Sequence, residues 1–296
     1  MPARPAAASR PGGDAAVTPA SEPPPSEVAE LADLASSIAQ EAAELLLTGR
    51  GQVGVVQTKS SPTDVVTEMD RAAEKLIRDR LAAARPGDAV LGEEGGQTGE
   101  GRVRWIVDPL DGTVNYLYGL PDWAVSIAAE VAGEVEAGAV CVPLRRSLFT
   151  ATRGGGAWLE SAWGLGRQRL ACNSGVRLSA ALVATGFGYA ADRRALQGRV
   201  AAAVLPRVRD IRRSGSAATD LCSVAAGQVD AYYEQGVQYW DIAAGGLIAR
   251  EAGARTGGLH GQPAGPELTI AAANGLFADL HDLLAEARAA AEPAAG

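Results

Sequence analysis

The feature that most constrains this chain is the stretch Trp105-Ile106-Val107-Asp108-Pro109-Leu110-Asp111-Gly112-Thr113. The apolar run reads as a strand, and it enters a turn carrying two carboxylates, a proline, a glycine and a hydroxyl. Pro109 fixes φ and has no N–H to donate. Gly112 can take backbone angles closed to other residues and lets a ligand approach the chain closely. Asp108 and Asp111 are hard oxygen donors on one tight turn, which suits Mg²⁺ better than a softer metal. The amides of Gly112 and Thr113 would open a following helical turn, where unpaired N–H groups favour a phosphate. A carboxylate pair beside such an anion nest is the chemistry of metal-assisted phosphate hydrolysis.

Further acids are distributed along the chain. Gly92-Glu93-Glu94-Gly95-Gly96 follows the apolar run Ala89-Val90-Leu91, again a strand ending in a turn with carboxylates. Asp241, in Tyr239-Trp240-Asp241-Ile242-Ala243-Ala244, precedes an apolar run of helical period that ends near Gly253. Acids from three separate segments are what a multi-metal site needs. Each also has a purely structural reading. Asp108 and Asp111 could bond their own backbone in an Asp-rich turn. Asp241 suits the first turn of a helix, where the dipole favours an anion. Asp70 lies three residues after Thr67, so a capping box accounts for it fully.

Composition narrows the function classes. With 47 % hydrophobic residues among 296, the chain can bury a sizeable core, in one large or two fused domains. A net charge of −8 argues against a nucleic-acid binder. It does not exclude anionic substrates, because bound cations dominate the local field. Cys141, Cys172 and Cys222 are widely spaced and odd in number, which suggests neither a disulfide framework nor a zinc site. His260 and His281 sit in no motif, which disfavours a Ser-His-Asp hydrolase. No apolar run is long enough for a transmembrane helix. The expectation is a cytoplasmic protein with no membrane or nucleic-acid partner.

Periodicity organises the chain as follows. Residues 1–25, rich in Ala, Pro, Gly and Ser, read as a disordered tail. Val28 to Leu46 repeat at helical spacing up to Gly49, with Ser26 as the expected cap. A second helix starts near Thr67 and ends at Pro86-Gly87. Strands follow at Ala89–Leu91, Val103–Val107, Trp123–Val131, Val135–Val142, Ser147–Thr152 and Ala157–Leu159. The segment from Gly92 to Gly101 reads as a mobile loop, Gly154-Gly155-Gly156 as a turn between strands, and 160–175 as an irregular junction. Thereafter strands and helices alternate to a closing helix, Leu276–Ala290. The pattern predicts an α+β metal-binding half over 26–170 fused to an α/β half over 171–296.

Trp105 to Tyr116 closely resembles the first signature of the inositol monophosphatases, and Trp240-Asp241-Ile242-Ala243-Ala244-Gly245 resembles the second. Lys59-Ser60-Ser61-Pro62-Thr63-Asp64, Val66-Thr67 with Asp70, and Gly92-Glu93-Glu94 match further family blocks in the same order. The resemblance spans residues 27 to 290 and looks most like the bacterial SuhB-type branch. It implies a layered α-β-α-β-α sandwich of the inositol monophosphatase/fructose bisphosphatase type, two to three Mg²⁺ per subunit, sensitivity to Li⁺, and a homodimer. It places one Mg²⁺ on Glu93, Asp108 and the Leu110 carbonyl, and a second on Asp108, Asp111 and Asp241. A weaker third ion would lean on Glu93. It implies that Thr113, with Glu93, orients the attacking water, that Asp70 and Glu94 stand nearby, and that Lys59 lies close to the metals. It gives the Gly112 and Thr113 amides to the phosphate.

On the substrate side Glu234 matches a position that contacts a ring hydroxyl. Ser216-Ala217-Ala218 resembles the family's Gly-Thr-Ala-Ala block, with Ala218 expected to let the sugar approach and Asp241 also close to the substrate. Arg212-Arg213 reads as a basic surface loop or a dimer contact. The resemblance implies hydrolysis of inositol monophosphate, a small phosphorylated polyol. Phosphatases of the same superfamily acting on histidinol phosphate, fructose 1,6-bisphosphate or 3′-phosphoadenosine phosphates share the metal motif and stay open as alternatives. So does a SuhB-like role bound to the transcription machinery.

Overall fold

The structure, a computed structural model, describes residues 22–50, 55–58, 65–161 and 166–291. Helix α1 (Pro25–Gly49) buries Leu31, Ala35, Ile38, Ala42 and Leu46 along one stripe. Its cap is Pro24, with Pro25 in the first turn, and Ser26 lies inside the helix. Proline fits there because the N–H it lacks would have no partner at a helix start. Two short strands absent from the sequence reading, β1 (Val55–Thr58) and β2 (Val65–Thr67), pair antiparallel. The block Lys59–Asp64 between them lies outside the described residues, as does most of the expected N-terminal tail. Thr67 caps α2 (Glu68–Ala84), which buries Ala73, Ile77 and Leu81.

A first sheet is built from β3 (Ala89–Gly92), β4 (Gly96–Thr98), β5 (Val103–Asp111), β6 (Ala124–Val131), β7 (Glu134–Val142), β8 (Ser147–Thr152), β9 (Gly156–Ser161) and β10 (Gly166–Arg169), with a short helix α3 (Thr113–Tyr118) after β5. Its order is β10-β9-β8-β7-β6-β5-β3-β4, and only β3 and β5 run parallel. The expected irregular stretch after residue 160 thus contains an edge strand. All four residues of β10 are exposed, so no apolar period marked it. Gly154-Gly155-Gly156 is the β8–β9 turn; its Gly154 and Gly156 amides donate to Glu251 at 2.8 and 2.9 Å. The protein's own carboxylate therefore occupies that anion nest.

The second sheet contains β11 (Leu182–Thr185), β12 (Asp210–Arg212), β13 (Ala231–Glu234), β14 (Arg255–Gly257) and β15 (Thr269–Ala272), in the order β12-β11-β13-β15-β14. Helices α4 (Ala191–Val204), α5 (Ala217–Ala225), α6 (Tyr239–Glu251) and α7 (Asn274–Ala291) complete the chain. One buried cluster joins α1 and α2 to the first sheet. A second joins that sheet's other face to α5 and α6. Those helices then pack on the second sheet, whose far face is covered by α4 and α7. The stacking is helix, sheet, helix, sheet, helix, the expected five-layer sandwich. Cys141 and Cys222 are buried free thiols. The two histidines meet on the surface, where His281 Nε2 accepts from the His260 amide at 3.0 Å. Among the described residues no helix is long and apolar enough to cross a membrane.

Candidate active site

Asp108 and Asp111 line the same cavity because β5 is bulged. Side chains alternate faces along a regular strand, so residues three apart would point to opposite sides. Against β6, Asp108 pairs with Ser126 and Asp111 with Ala124, so Pro109 and Leu110 together oppose Val125. The extra residue brings both acids to one side. A bulge is also where a strand tolerates a proline, since no ladder donor is needed there. The Leu110 amide donates to Asp108 Oδ1 at 2.9 Å. Asp111 Oδ2 accepts from the Ser216 hydroxyl at 2.6 Å and the Ala218 amide at 2.7 Å.

Gly112 then takes φ +94°, and a Cβ there would come within 2.9 Å of the Asp122 carbonyl, so glycine is required by both angle and space. Helix α3 opens at Thr113, as the sequence predicts. Thr113 Oγ1 lies 2.9 Å from Asp70 Oδ1 and 3.2 Å from the Leu110 carbonyl. Asp70 Oδ2 accepts from the Thr67 amide at 2.8 Å and from the Thr67 hydroxyl. One carboxylate therefore closes the start of α2 and fixes the Thr113 hydroxyl. Asp70 is fully buried and does not line the cavity, and its Oδ1 contact with Thr113 ties it to the site.

Glu93 follows β3, and its amide donates to the Val107 carbonyl at 3.2 Å. The next turn is not an open loop. The Glu94 and Gly95 amides donate to the buried Glu74 carboxylate at 2.7 and 2.8 Å, and Arg78 pairs with Glu74 at 2.7 Å. The chain returns at once as β4, so the stretch from Gly92 to Gly101, expected to be loop throughout, contains a strand. Asp241 is the third residue of α6; its Oδ2 accepts from the Gln238 amide at 2.6 Å. It caps its helix and lines the cavity as well.

Glu93, Asp108, Leu110, Asp111, Thr113 and Asp241 thus come from three separate parts of the chain onto one cavity of about 500 Å³. Burial raises the Asp108 carboxyl well above the usual range, and the charges of Glu93, Asp111 and Asp241 raise it further. Asp111 is pushed up to about 6 by burial, against the bonds from Ser216 and Ala218. Asp241 moves the same way, through burial and the charges of Asp111 and Glu93. Buried acids that destabilise one another's charged forms gain most from a cation. As the side chains stand, no three acids among the described residues close on a single ion. Asp111 and Asp241 each have an oxygen turned onto the protein. The donor set, four carboxylates with a carbonyl and no sulfur or imidazole, fits a hard divalent ion.

The rest of the cavity wall carries Glu234 and Ala217. Glu234 ends β13, accepts from the Tyr232 hydroxyl at 2.9 Å, and is pushed up to about 7 by burial. Gly186 packs under its carboxylate, where any Cβ would collide. Ala218, expected to face the sugar, is fully buried and spends its amide on Asp111; Ala217, one residue earlier, lines the cavity. Ser216 caps α5, which turns the first helical residue outward and the second toward Asp111. Arg212 and Arg213 are both exposed, and Arg212 is bonded to Asp210 at 2.5 Å. Arg213 keeps the surface place read for it and also lines the cavity, where its charge acts on both Asp111 and Glu234. Arg193 also lines it, with no sequence signal beyond its place at the start of a helix. Asn115, inside the first signature, bonds the Ser214 carbonyl at 2.8 Å and so joins α3 to the loop before α5.

The profile of the inositol monophosphatase family matches residues 27–292. The chain belongs to the inositol monophosphatase family. The inositol-1-monophosphatase SuhB of Mycobacterium tuberculosis is 50 % identical over 248 residues, covering 78 % of this chain and 85 % of that protein. The solved structure of M. tuberculosis SuhB superposes with a TM-score of 0.75 at 46 % identity, over 88 % of this chain and 97 % of that one. A relative from Xylella fastidiosa, 44 % identical over 196 residues and covering 66 % of this chain and 69 % of its own, is named Nus factor SuhB. The family is one of metal-dependent phosphatases.

Proposed function

We propose that this chain is a Mg²⁺-dependent phosphomonoesterase that hydrolyses inositol monophosphate to inositol and phosphate. The observation that carries the reading is the gathering of Glu93, Asp108, Asp111, Asp241 and the Leu110 carbonyl around one cavity that also holds Gly112, Thr113 and Glu234. Two or three Mg²⁺ held by Glu93, Asp108 and Leu110 and by Asp108, Asp111 and Asp241 would neutralise the phosphate and make water nucleophilic at neutral pH. Thr113, fixed by Asp70, orients that water together with Glu93. The Gly112 and Thr113 amides hold phosphate oxygens. Glu234 accepts hydrogen bonds from ring hydroxyls, and Ala217 leaves room for the ring. The working form is a cytoplasmic homodimer, on the ground of the family.

Phosphate release from inositol 1-phosphate, histidinol phosphate, fructose 1,6-bisphosphate and a 3′-phosphoadenosine phosphate, measured side by side with Mg²⁺, tests the reading. Inositol 1-phosphate should be cleaved, with EDTA abolishing turnover and Li⁺ inhibiting it. Ca²⁺ alone should not support it, because a larger, irregularly coordinated ion does not hold water and phosphate in line. No inositol 1-phosphate hydrolysis, or full activity in EDTA, overturns it. The name of the Xylella relative favours a second reading, association with the transcription machinery. Retention of this chain by RNA polymerase in a pull-down from native lysate, unchanged by D111N, would support that role.

A further inference from the structure

Helix α2 carries two buried carboxylates one turn apart, Asp70 and Glu74, which are 1 % and 3 % exposed. At this spacing they stand on one face of the helix. Asp70 Oδ1 takes the Thr113 hydroxyl at 2.9 Å. Glu74 reaches the turn after β3: its Oε2 accepts from the Glu94 amide at 2.7 Å and its Oε1 from the Gly95 amide at 2.8 Å. Arg78, one turn further on, pairs with Glu74 Oε1 at 2.7 Å and donates to the Gly96 carbonyl at 2.6 Å and to the Thr98 hydroxyl at 2.9 Å. A common helical ion pair of this spacing lies in solvent and contributes little. Here both members spend their remaining groups on another element, the β3–β4 hairpin.

Thr113 and Glu93 are the pair that orients the attacking water in the proposed reaction, and they come from different strands. Glu93 lies just beyond the end of β3, where its amide donates to the Val107 carbonyl at 3.2 Å. Gly92, Gly95 and Gly96 surround it, and glycine leaves a backbone free to take many conformations. A carboxylate on such a turn has a fixed place only if something outside the turn holds it. Glu74 supplies that hold. A buried carboxylate is costly when unpaired, so its bonds to Glu94, Gly95 and Arg78 constrain the helix and the turn alike. Resting on the phosphatase reading, we propose that Glu74 is a positioning residue for Glu93. Helix α2 grips Thr113 through Asp70 and the Glu93 turn through Glu74, and so sets the two water-orienting groups relative to one another. Glu74 does not line the cavity and acts only through the turn that carries Glu93. With that turn already ordered, cation binding is not spent on ordering it.

Calorimetric titration of the full chain with Mg²⁺ tests this without turnover. In E74A the Kd for Mg²⁺ should rise about tenfold, the scale of loss when a group that orients a metal-binding residue is removed. E74Q keeps an oxygen for Gly95 and Arg78 but turns an NH₂ onto the Glu94 amide, so its loss should be smaller; it carries the test if E74A does not fold. In an E93Q background neither substitution should raise the Kd further, because the two positions act as one. At saturating Mg²⁺, kcat for inositol 1-phosphate should fall in E74A with little change in KM, since no substrate contact is lost. An unchanged Kd in both variants overturns the positioning role. So does the same loss in E93Q as in the unaltered chain, which would mark a general loosening of the fold. If Mg²⁺ affinity depends on Glu74 through Glu93 and nothing is hydrolysed, the phosphatase reading fails and the positioning role stands. If both variants hydrolyse inositol 1-phosphate normally with unchanged Mg²⁺ dependence, the positioning role fails and the phosphatase reading stands.

Discussion

The two sides of the cavity are built in opposite ways. The acid side comes from two neighbouring strands and one helix start: Glu93 follows β3, Asp108 and Asp111 straddle the bulge of β5, and Asp241 lies in the first turn of α6. Each is held to a main-chain or side-chain partner before any ligand arrives. The polyol side is assembled from the ends of β13, α4 and α5, and its fit depends on residues that are small. Gly186 makes room for Glu234. A rigid charged half faces a half defined by empty space. Charge on the first should therefore govern rate, and shape and charge on the second should govern choice of substrate.

The sharpest way to break this contrast is Asp111→Asn. The substitution keeps size and leaves an amide oxygen to accept from Ser216 or Ala218, but it removes a metal-binding charge. Turnover should fall by about a hundredfold or more, the typical loss when electrostatic stabilisation of a transition state is removed. The circular dichroism spectrum should be unchanged. Near-normal activity at saturating Mg²⁺ would mean that the acid side does not govern rate.

Glu234→Gln probes the other side. Ring hydroxyls change little between ground and transition states, so their loss should raise KM for inositol 1-phosphate about tenfold and leave kcat nearly intact. An aryl phosphate, which lacks those hydroxyls, should barely respond. Equal damage to both substrates would place Glu234 with the acid side and erase the division. A larger loss on histidinol phosphate would move the substrate assignment to another phosphatase of the superfamily.

How far each side was legible follows from how it is built. The acid side is a run of consecutive residue types that carry its chemistry. Asp108, Pro109, Asp111 and Gly112 point to a metal and a phosphate together; the turn expected after Val107 is instead a bulged continuation of β5 to Asp111, which the letters do not show. The polyol side has no such run. Arg213 reads as a surface basic residue and is one, and only the fold brings it to the same cavity as Glu234. Ala217 and Ala218 are indistinguishable as letters; the Ser216 cap decides which of them faces the cavity. Most elements were readable from strand and helix periods and the five-layer stacking only from the family resemblance, whereas β1, β2 and β10 are too short or too polar to carry a period.

Metal-free stability gives a smaller effect on the same division. Burial and mutual repulsion raise Asp108 and Asp241, Asp111 is pushed up to about 6, and Glu234 to about 7. Free carboxylates titrate near ~4. A group raised in this way binds its proton more tightly folded than unfolded. Its stabilising contribution is complete below pH ~4 and is lost as pH rises through the folded values. In EDTA, Tm should therefore fall between about pH 4 and 7. Mg²⁺ should restore it most at the high end, by ~2.7 kcal/mol at a hundredfold excess over Kd. D111N should flatten the metal-free slope. A profile that is level with and without Mg²⁺ would show that the acids are not crowded in solution.

The smallest effect separates structure from chemistry within one carboxylate. Asp70 Oδ2 closes the capping box with Thr67, and Oδ1 holds the Thr113 hydroxyl. Thr67→Ala removes the cap's hydroxyl while leaving Asp70 and its bond to Thr113 in place. Loss of an N-cap side chain costs ~1 kcal/mol, a shift of a few degrees in Tm for a chain of this size, with little change in kcat. Asp70→Ala removes both contacts. It should cost the same stability or somewhat more, and it should also lower kcat, since Thr113 loses its 2.9 Å partner on the water-orienting side. Measuring Tm and kcat on both variants decides the point. If the two match in kcat as well as in Tm, Asp70 serves only its helix, and Thr113 is positioned by the Leu110 carbonyl alone. If only Asp70→Ala slows turnover, the capping residue is also what couples α2 to the acid side of the cavity.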